Sequence, residues 1–304
     1  MNDSAGLDEL QSLLHSIGSV LLGKREQVQL ATCCLLAQGH LLIEDTPGTG
    51  KSTLAEALAR GVGLSFKRVS FTSDLLPADL TGLNVFDQRT ADFRFQPGPL
   101  FTQVMLADEI NRASPRTQSA LLEAMAVARV SVDGTSHALP QPFFVIATQN
   151  SLDQVGTSPL PEAQLDRFLM RISLGYPNRE AERQLLLGQA RSLEQSPPVL
   201  SAQQLQQLQL QVVGVHCSDA LVDYILDLVQ ASRRIGAGLS TRAAQALVAA
   251  ARAMALLSGR DYVTVDDVQA VFPAVAEHRL DAGAPSGNGC PLSAALLESV
   301  DALR

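Results

Sequence analysis

The chain has 304 residues, 46% hydrophobic and 18% charged, with a formal net charge of −8. It is long enough for a large core and two domains. That balance argues against a polyanion as the principal partner, because nucleic-acid binding draws on clustered Lys and Arg.

With 3 Tyr and no Trp, few platforms exist for stacking single strands. No apolar run approaches the roughly 18 residues of a membrane span, and the Met-Asn-Asp-Ser start carries no basic stretch. Neither a span nor a signal peptide is expected, and the setting reads as cytoplasmic. Cys33, Cys34, Cys217 and Cys290 form no C-x-x-C pair and have no His at metal spacing, so buried free thiols are expected.

Residues 7–22 and 24–38 carry helical periodicity and lead into an apolar strand, Leu41-Leu42-Ile43. Between these helices, Lys24 and Arg25 read equally as nucleotide contacts or as a solvated turn. After the strand comes Asp45-Thr46-Pro47-Gly48-Thr49-Gly50-Lys51-Ser52-Thr53, a glycine-punctuated loop opening into a helix-forming run. A helix that starts straight after glycines leaves its first N–H groups aimed at the loop, where the peptide dipoles favour an anion. Gly48 and Gly50 allow the backbone close to phosphate oxygens, Lys51 brings a positive charge, and Ser52 offers a hydroxyl to Mg²⁺. The stretch reads as a nucleoside triphosphate site. Asp45 stands where the general pattern G-x-x-x-x-G-K-[ST] has glycine, and Asp tolerates a positive φ there.

Residues 65–70 read as a second strand. Two short alternating runs, Leu83–Phe86 and Phe93–Phe95, predict a β-hairpin. Val104-Met105-Leu106-Ala107-Asp108-Glu109 then reads as a buried parallel strand delivering carboxylates to the sheet edge, 57 residues after Lys51. Asp108 is placed near Mg²⁺, and Glu109 is placed to polarise the attacking water.

Ser114-Pro115 caps a helix, and Asp133-Gly134 predicts a second hairpin. Phe143–Asn150 is an apolar strand with a polar end, so Asn150 is expected beside the Asp108 strand, facing the γ-phosphate or the water. Pro161 starts a helix over residues 160–168, and residues 169–174 form a last strand. Beyond Tyr176-Pro177 only helical patterns remain, at 178–191, 201–211, 218–233, 240–257 and 264–280, and a low-complexity break at 281–289 precedes a final helix at 292–303.

In this order these elements resemble the AAA+ ATPases, and more narrowly the MoxR family. The resemblance rests on FTSDLLPADLTG (71–82), FRFQPGPLF (93–101), LADEINRA (106–113), ATQN (147–150), LPEAQLDRF (160–168) and LSTRA (239–243), and spans about residues 20 to 280. It implies an α/β fold: an AAA+ P-loop core with a parallel central sheet and inserted β-hairpins over residues 1–175. An all-α lid follows over 176–281, then a linker and C-terminal helix over 282–304. It gives Lys51 and Ser52 the Walker A roles and Asp108 and Glu109 the Walker B roles. Asn150 matches sensor 1, Arg167 an arginine finger reaching the next subunit's nucleotide, and Arg242 a sensor 2 bringing the lid's charge to the γ-phosphate. Arg112 and Arg171 are further candidates for the contact between subunits.

The resemblance also implies ATP and Mg²⁺ as cofactors and a homo-oligomeric ring, commonly a hexamer. It implies a protein client, and a partner with a von Willebrand factor A domain. A nucleic-acid motor and an ATP-gated scaffold with little hydrolysis are the alternative readings.

Overall fold

The computed structural model describes residues 3–150, 157–193, 196–235, 238–280 and 291–302. The expected break at 281–289 and Cys290 lie outside them.

Two helices, α1 (Asp3–Val20) and α2 (Arg25–Leu36), precede β1 (Leu41–Glu44), the P-loop and α3 (Lys51–Gly61). Then follow β2 (Phe66–Ser70), a short α4 (Pro77–Thr81) not foreseen in the sequence, β3 (Gly82–Asp87), β4 (Asp92–Pro97) and β5 (Val104–Asp108). Next are α5 (Pro115–Val127), β6 (Arg129–Val132), β7 (Thr135–Ala138), β8 (Phe144–Gln149), α6 (Glu162–Leu165) and β9 (Met170–Ile172).

The central sheet has five strands in the order β2-β5-β8-β1-β9, all parallel. Its inner strands are apolar on both faces, as helix-covered parallel strands must be. Leu41, Ile43, Leu106, Phe144 and Ile146 pack towards α1, α2 and α3, while Leu42, Met105, Ala107, Val145 and Ala147 pack towards α5. Because the strands are parallel, their carboxyl ends share one edge of the sheet, which carries the P-loop, Asp108 and Asn150. Their amino ends share the other, beside His40 and Phe168.

Both predicted hairpins form, β3 with β4 and β6 with β7. The second turns through Asp133 (φ +48°) and Gly134 (φ +79°), the positive-φ pair that suits a two-residue hairpin. Stacking of Phe95 on His137 at 3.9 Å and an Asn84–Asp133 hydrogen bond of 2.8 Å join the two hairpins.

After β9 come α7 (Arg179–Leu186), α8 (Ala202–Gly214), α9 (Asp219–Ile235), α10 (Thr241–Leu257), α11 (Val265–Leu280) and α12 (Leu292–Ser299). Three helices are shorter than the periodicity suggests. α6 keeps four residues after its Pro161 cap, α7 stops at the Leu187 cap before Gly188 (φ +68°), and α12 ends at Ser299.

The helical region shares one continuous apolar core with α1, α2 and α3. Polar ties reinforce it: Gln209 donates to Leu35 O at 2.9 Å and Gln11 donates to Leu257 O at 3.0 Å. Cys33 and Cys34 are fully buried here, and burial raises both thiol pKa values above the ordinary range.

Candidate nucleotide site

The P-loop leaves β1 at Asp45 and enters α3 through Gly48 (φ +85°) and Gly50 (φ +97°). No atom lies within 4 Å of a Cβ built on Gly48, so glycine serves the conformation there. At Gly50 a Cβ would also meet Leu21 Cδ1 at 2.9 Å. Gly50 caps α3 with no side-chain acceptor, leaving the first N–H groups of an 11-residue helix to the loop. Thr49 is buried and bonds Thr46 O at 3.2 Å, while Ser52 and Thr53 are half-buried at the helix start. Pro47 is exposed at the loop's tip. The Lys51 ammonium donates to Asp45 O at 2.7 Å and Thr46 O at 3.0 Å.

At the same edge, β8 lies between β1 and β5. Buried Thr148 donates its hydroxyl to Asp108 Oδ1 at 2.6 Å and accepts the Glu109 N–H at 2.9 Å. Arg68 of β2 holds the other Asp108 oxygen at 2.5 Å. Glu109 adopts the left-handed conformation (φ +56°, ψ +49°) and pairs with Arg112 at 3.0 Å. A non-glycine residue kept there costs about 1–3 kcal/mol, strain that concentrates at working sites. Asn150, half-buried, follows directly on β8. The residues expected for phosphate, metal and water are thus brought together. A hydroxyl and a carboxylate at one edge, beside an uncapped helix start, are hard oxygen donors that fit Mg²⁺ held with phosphate.

Two expected placements are corrected. Asp45 takes no positive φ, and its carboxylate faces the residues after β9, where Oδ2 accepts Leu174 N at 2.8 Å and Gly175 N at 2.6 Å. Those two main-chain donors draw Oδ2 away from the phosphate cradle, while Oδ1 stays on the Thr46 N–H at 2.8 Å. Lys24 is neither in solvent nor at the cradle. It is 5% exposed, and its ammonium donates to the carbonyls of Leu174, Gly175 and Tyr176 at 2.5, 2.9 and 2.6 Å. Burial lowers its pKa, and the Asp45 charge opposes that shift.

Arg167 and Arg242 sit at the opposite edge of the sheet. Leu169 N bonds His40 O at 2.8 Å just before β9, which fixes residues 166–169 at the strands' amino ends. Arg167 is exposed there, with one bond to Leu122 O at 3.0 Å. Arg242 Nη1 lies 3.7 Å from Asp166 Oδ2, with 69% of its side chain exposed. Arg242 therefore lies across the four-residue β1, about 13 Å long, from the P-loop of its own chain.

Arg279, unforeseen in the sequence, anchors this corner. It pairs with Asp166 at 2.8 Å and donates to Phe168 O at 2.8 Å and Leu169 O at 3.3 Å. Arg171 is engaged within the chain by Glu44 at 3.0 Å and Arg112 by Glu109, so both reserve candidates already have partners.

Comparison with known proteins identifies the family. Residues 40–170 match the ATPase family associated with various cellular activities (AAA), and residues 230–299 match the AAA lid domain. The Bacillus subtilis protein YeaC, itself uncharacterized, is 45% identical over 276 residues, covering 89% of this chain and 86% of its own. Chaperone MoxR1 of Mycobacterium tuberculosis is 39% identical over 289 residues, 91% of this chain and 77% of its own. The chain is a member of the MoxR family of AAA+ ATPases. A crystal structure of a candidate ATPase from Cytophaga hutchinsonii superposes on this MoxR-family chain with a TM-score of 0.86 at 33% identity. It covers 98% of this chain and 96% of that one. Among the described residues of this MoxR-family protein, no helix is long and apolar enough to cross a membrane.

Proposed function

We propose that the protein is a Mg²⁺-dependent ATPase working as a homo-oligomeric ring, a hexamer by the family pattern. In this reading it acts in the cytoplasm, with residues 1–175 as nucleotide core and 176–281 as lid. It remodels or matures a protein client with a partner bearing a von Willebrand factor A domain. The name of the relative MoxR1, a chaperone, supports the client reading.

The observation that carries the assembly is the position of Arg167 and Arg242. Both are exposed at the sheet edge opposite their own P-loop, so each can serve a nucleotide only in another copy. Charge developing on a transferred phosphoryl group is stabilised by preorganised cations, and an arginine supplied from a neighbour contributes about 10³–10⁵ in rate.

Within one chain, Lys51 and the N–H groups of α3 bind the phosphates, and Ser52 and Asp108 would hold the metal. Glu109 takes the proton of the attacking water, and Asn150 orients that water against the γ-phosphate. Mg²⁺, when bound, neutralises charge shared by the β- and γ-phosphates.

ATP turnover per chain, measured across a dilution series with light scattering alongside, tests the proposal. It should rise with concentration as the ring forms. Turnover per chain that stays constant from the monomer upward contradicts the shared site. Recovery of a von Willebrand-type protein on immobilised Glu109→Gln in Mg·ATP, and not on Lys51→Ala, tests the partner. Its absence from both removes that part of the reading.

A further inference from the structure

Residues 173–176, which join β9 to α7, are gripped from two sides. Asp45 accepts the N–H groups of Leu174 and Gly175, and Ser173 Oγ at 3.3 Å, while Oδ1 turns back to Thr46 N at 2.8 Å. Lys24 takes the three carbonyls of 174–176. Every group in this exchange is charge-assisted, the stronger kind of hydrogen bond. Asp45 and Leu174 are 7% and 2% exposed, so little water competes.

An ammonium buried on carbonyls alone is costly, and the nearby Asp45 carboxylate offsets that cost. The neighbouring backbone leaves no slack. A Cβ on Gly23 would fall 2.7 Å from Ala181 Cβ, so the Gly23-Lys24 turn lies directly against α7. Asn178, the N-cap of α7, follows two residues after Tyr176.

The same Asp45 begins the P-loop, and its carbonyl, with that of Thr46, holds Lys51. Phosphate oxygens carry full negative charge and outcompete neutral carbonyls for an ammonium. Once Lys51 turns to a phosphate, the Asp45 carbonyl gives up its ammonium partner and the Thr46 carbonyl keeps only the Thr49 hydroxyl, so the peptide between them is freer to tilt and to shift the Asp45 side chain. Glycine at this place in the general P-loop pattern would supply no carboxylate. The departure at Asp45 thereby gains a physical purpose.

We propose that Asp45 and Lys24 are positioning residues that fasten the 173–176 junction to the nucleotide loop, so that the state of the loop is transmitted to α7 and the helices behind it. This rests on the reading of the P-loop as a triphosphate site.

Hydrogen exchange across residues 179–186, with and without a non-hydrolysable ATP analogue, tests it in the wild type, Asp45→Gly, Asp45→Asn and Lys24→Met, alongside affinity for a fluorescent ATP analogue. The wild type should change its exchange in α7 on binding. The variants should bind within about threefold of the wild type, since the glycines, Lys51 and α3 are intact, yet lose that change. A variant that binds and keeps the wild-type response overturns the proposal, as does a wild type that binds without any response in α7. Loss of binding in Asp45→Gly also overturns it, because a positioning role leaves the phosphate cradle whole. Wild type that binds no analogue contradicts the P-loop reading itself.

Discussion

Arg68 holds Asp108, the carboxylate proposed as a metal ligand, in a 2.5 Å ion pair at the end of the sheet. The guanidinium is about half exposed, so the pair is worth about 1 kcal/mol or less. Releasing Asp108 as a metal ligand costs that amount. Arg68→Ala should therefore lower the Mg²⁺ concentration for half-maximal ATP turnover by about two- to fivefold. A magnesium titration of turnover checks it; an unchanged midpoint would mean that Arg68 leaves Asp108 before the metal arrives.

Thr148 ties together the last residue of β5 and the one after it, donating to Asp108 and accepting from the Glu109 amide. Thr148→Val keeps the shape and removes both bonds, stranding a buried N–H at a cost of about 1–3 kcal/mol. It also frees Glu109 from its strained, oriented conformation. Turnover should fall by more than tenfold while ATP affinity stays near wild type, and Thr148→Ser should restore most of both stability and rate. Thermal unfolding and single-turnover assays read the two effects separately.

Acid should unfold the protein through its buried histidines. His40 Nδ1 accepts Val145 N at 3.0 Å, so that nitrogen must be unprotonated, and Nε2 faces Met125 O at 3.2 Å. Burial lowers the His40 pKa to about 4, from about 6.5 in the unfolded chain. His278 is lowered as well, again chiefly by burial. With folded values below unfolded ones, the unfolded state binds more protons once pH drops under 6.5. Stability is then full above pH 6.5 and lost as pH falls towards 4, about 1.4 kcal/mol per unit for each histidine and about 3 kcal/mol in all from His40. Urea unfolding at pH 7 and pH 5 should show about 2 kcal/mol of that loss from His40, and His40→Gln should reduce it.

Much of this molecule is legible in its sequence, because its motifs and its physics coincide. The glycines around Gly48, the apolar run ending at Asp108 and the Asp133-Gly134 turn each admit few backbone solutions. Their elements appear where the periodicity puts them. Arg68, Thr148 and Arg279 escaped because their partners lie far along the chain. Nothing local marks Arg279 as the residue that would hold Phe168, and only the polar end of β8 hints at Thr148. Lys24 read equally as a nucleotide contact or a solvated turn, because burial of a lysine depends on three carbonyls 150 or more residues away. The motif assigns Arg242 to a γ-phosphate without saying which copy holds it, and only the packing of α10 and α11 shows that the residue lies at the sheet edge away from its own P-loop.

The central claim is that one nucleotide site is built from two copies of the chain. Lys51→Ala removes the phosphate anchor and Arg167→Ala the exposed arginine, so each variant alone should be inactive, the second with binding intact. Mixed, with co-assembly verified through different tags, they should recover turnover. Roughly a quarter of the sites in an equal mixture pair an intact loop with an intact arginine. Recovery peaking near the equal ratio is the predicted result. Co-assembled mixtures that stay inactive at every ratio would contradict it.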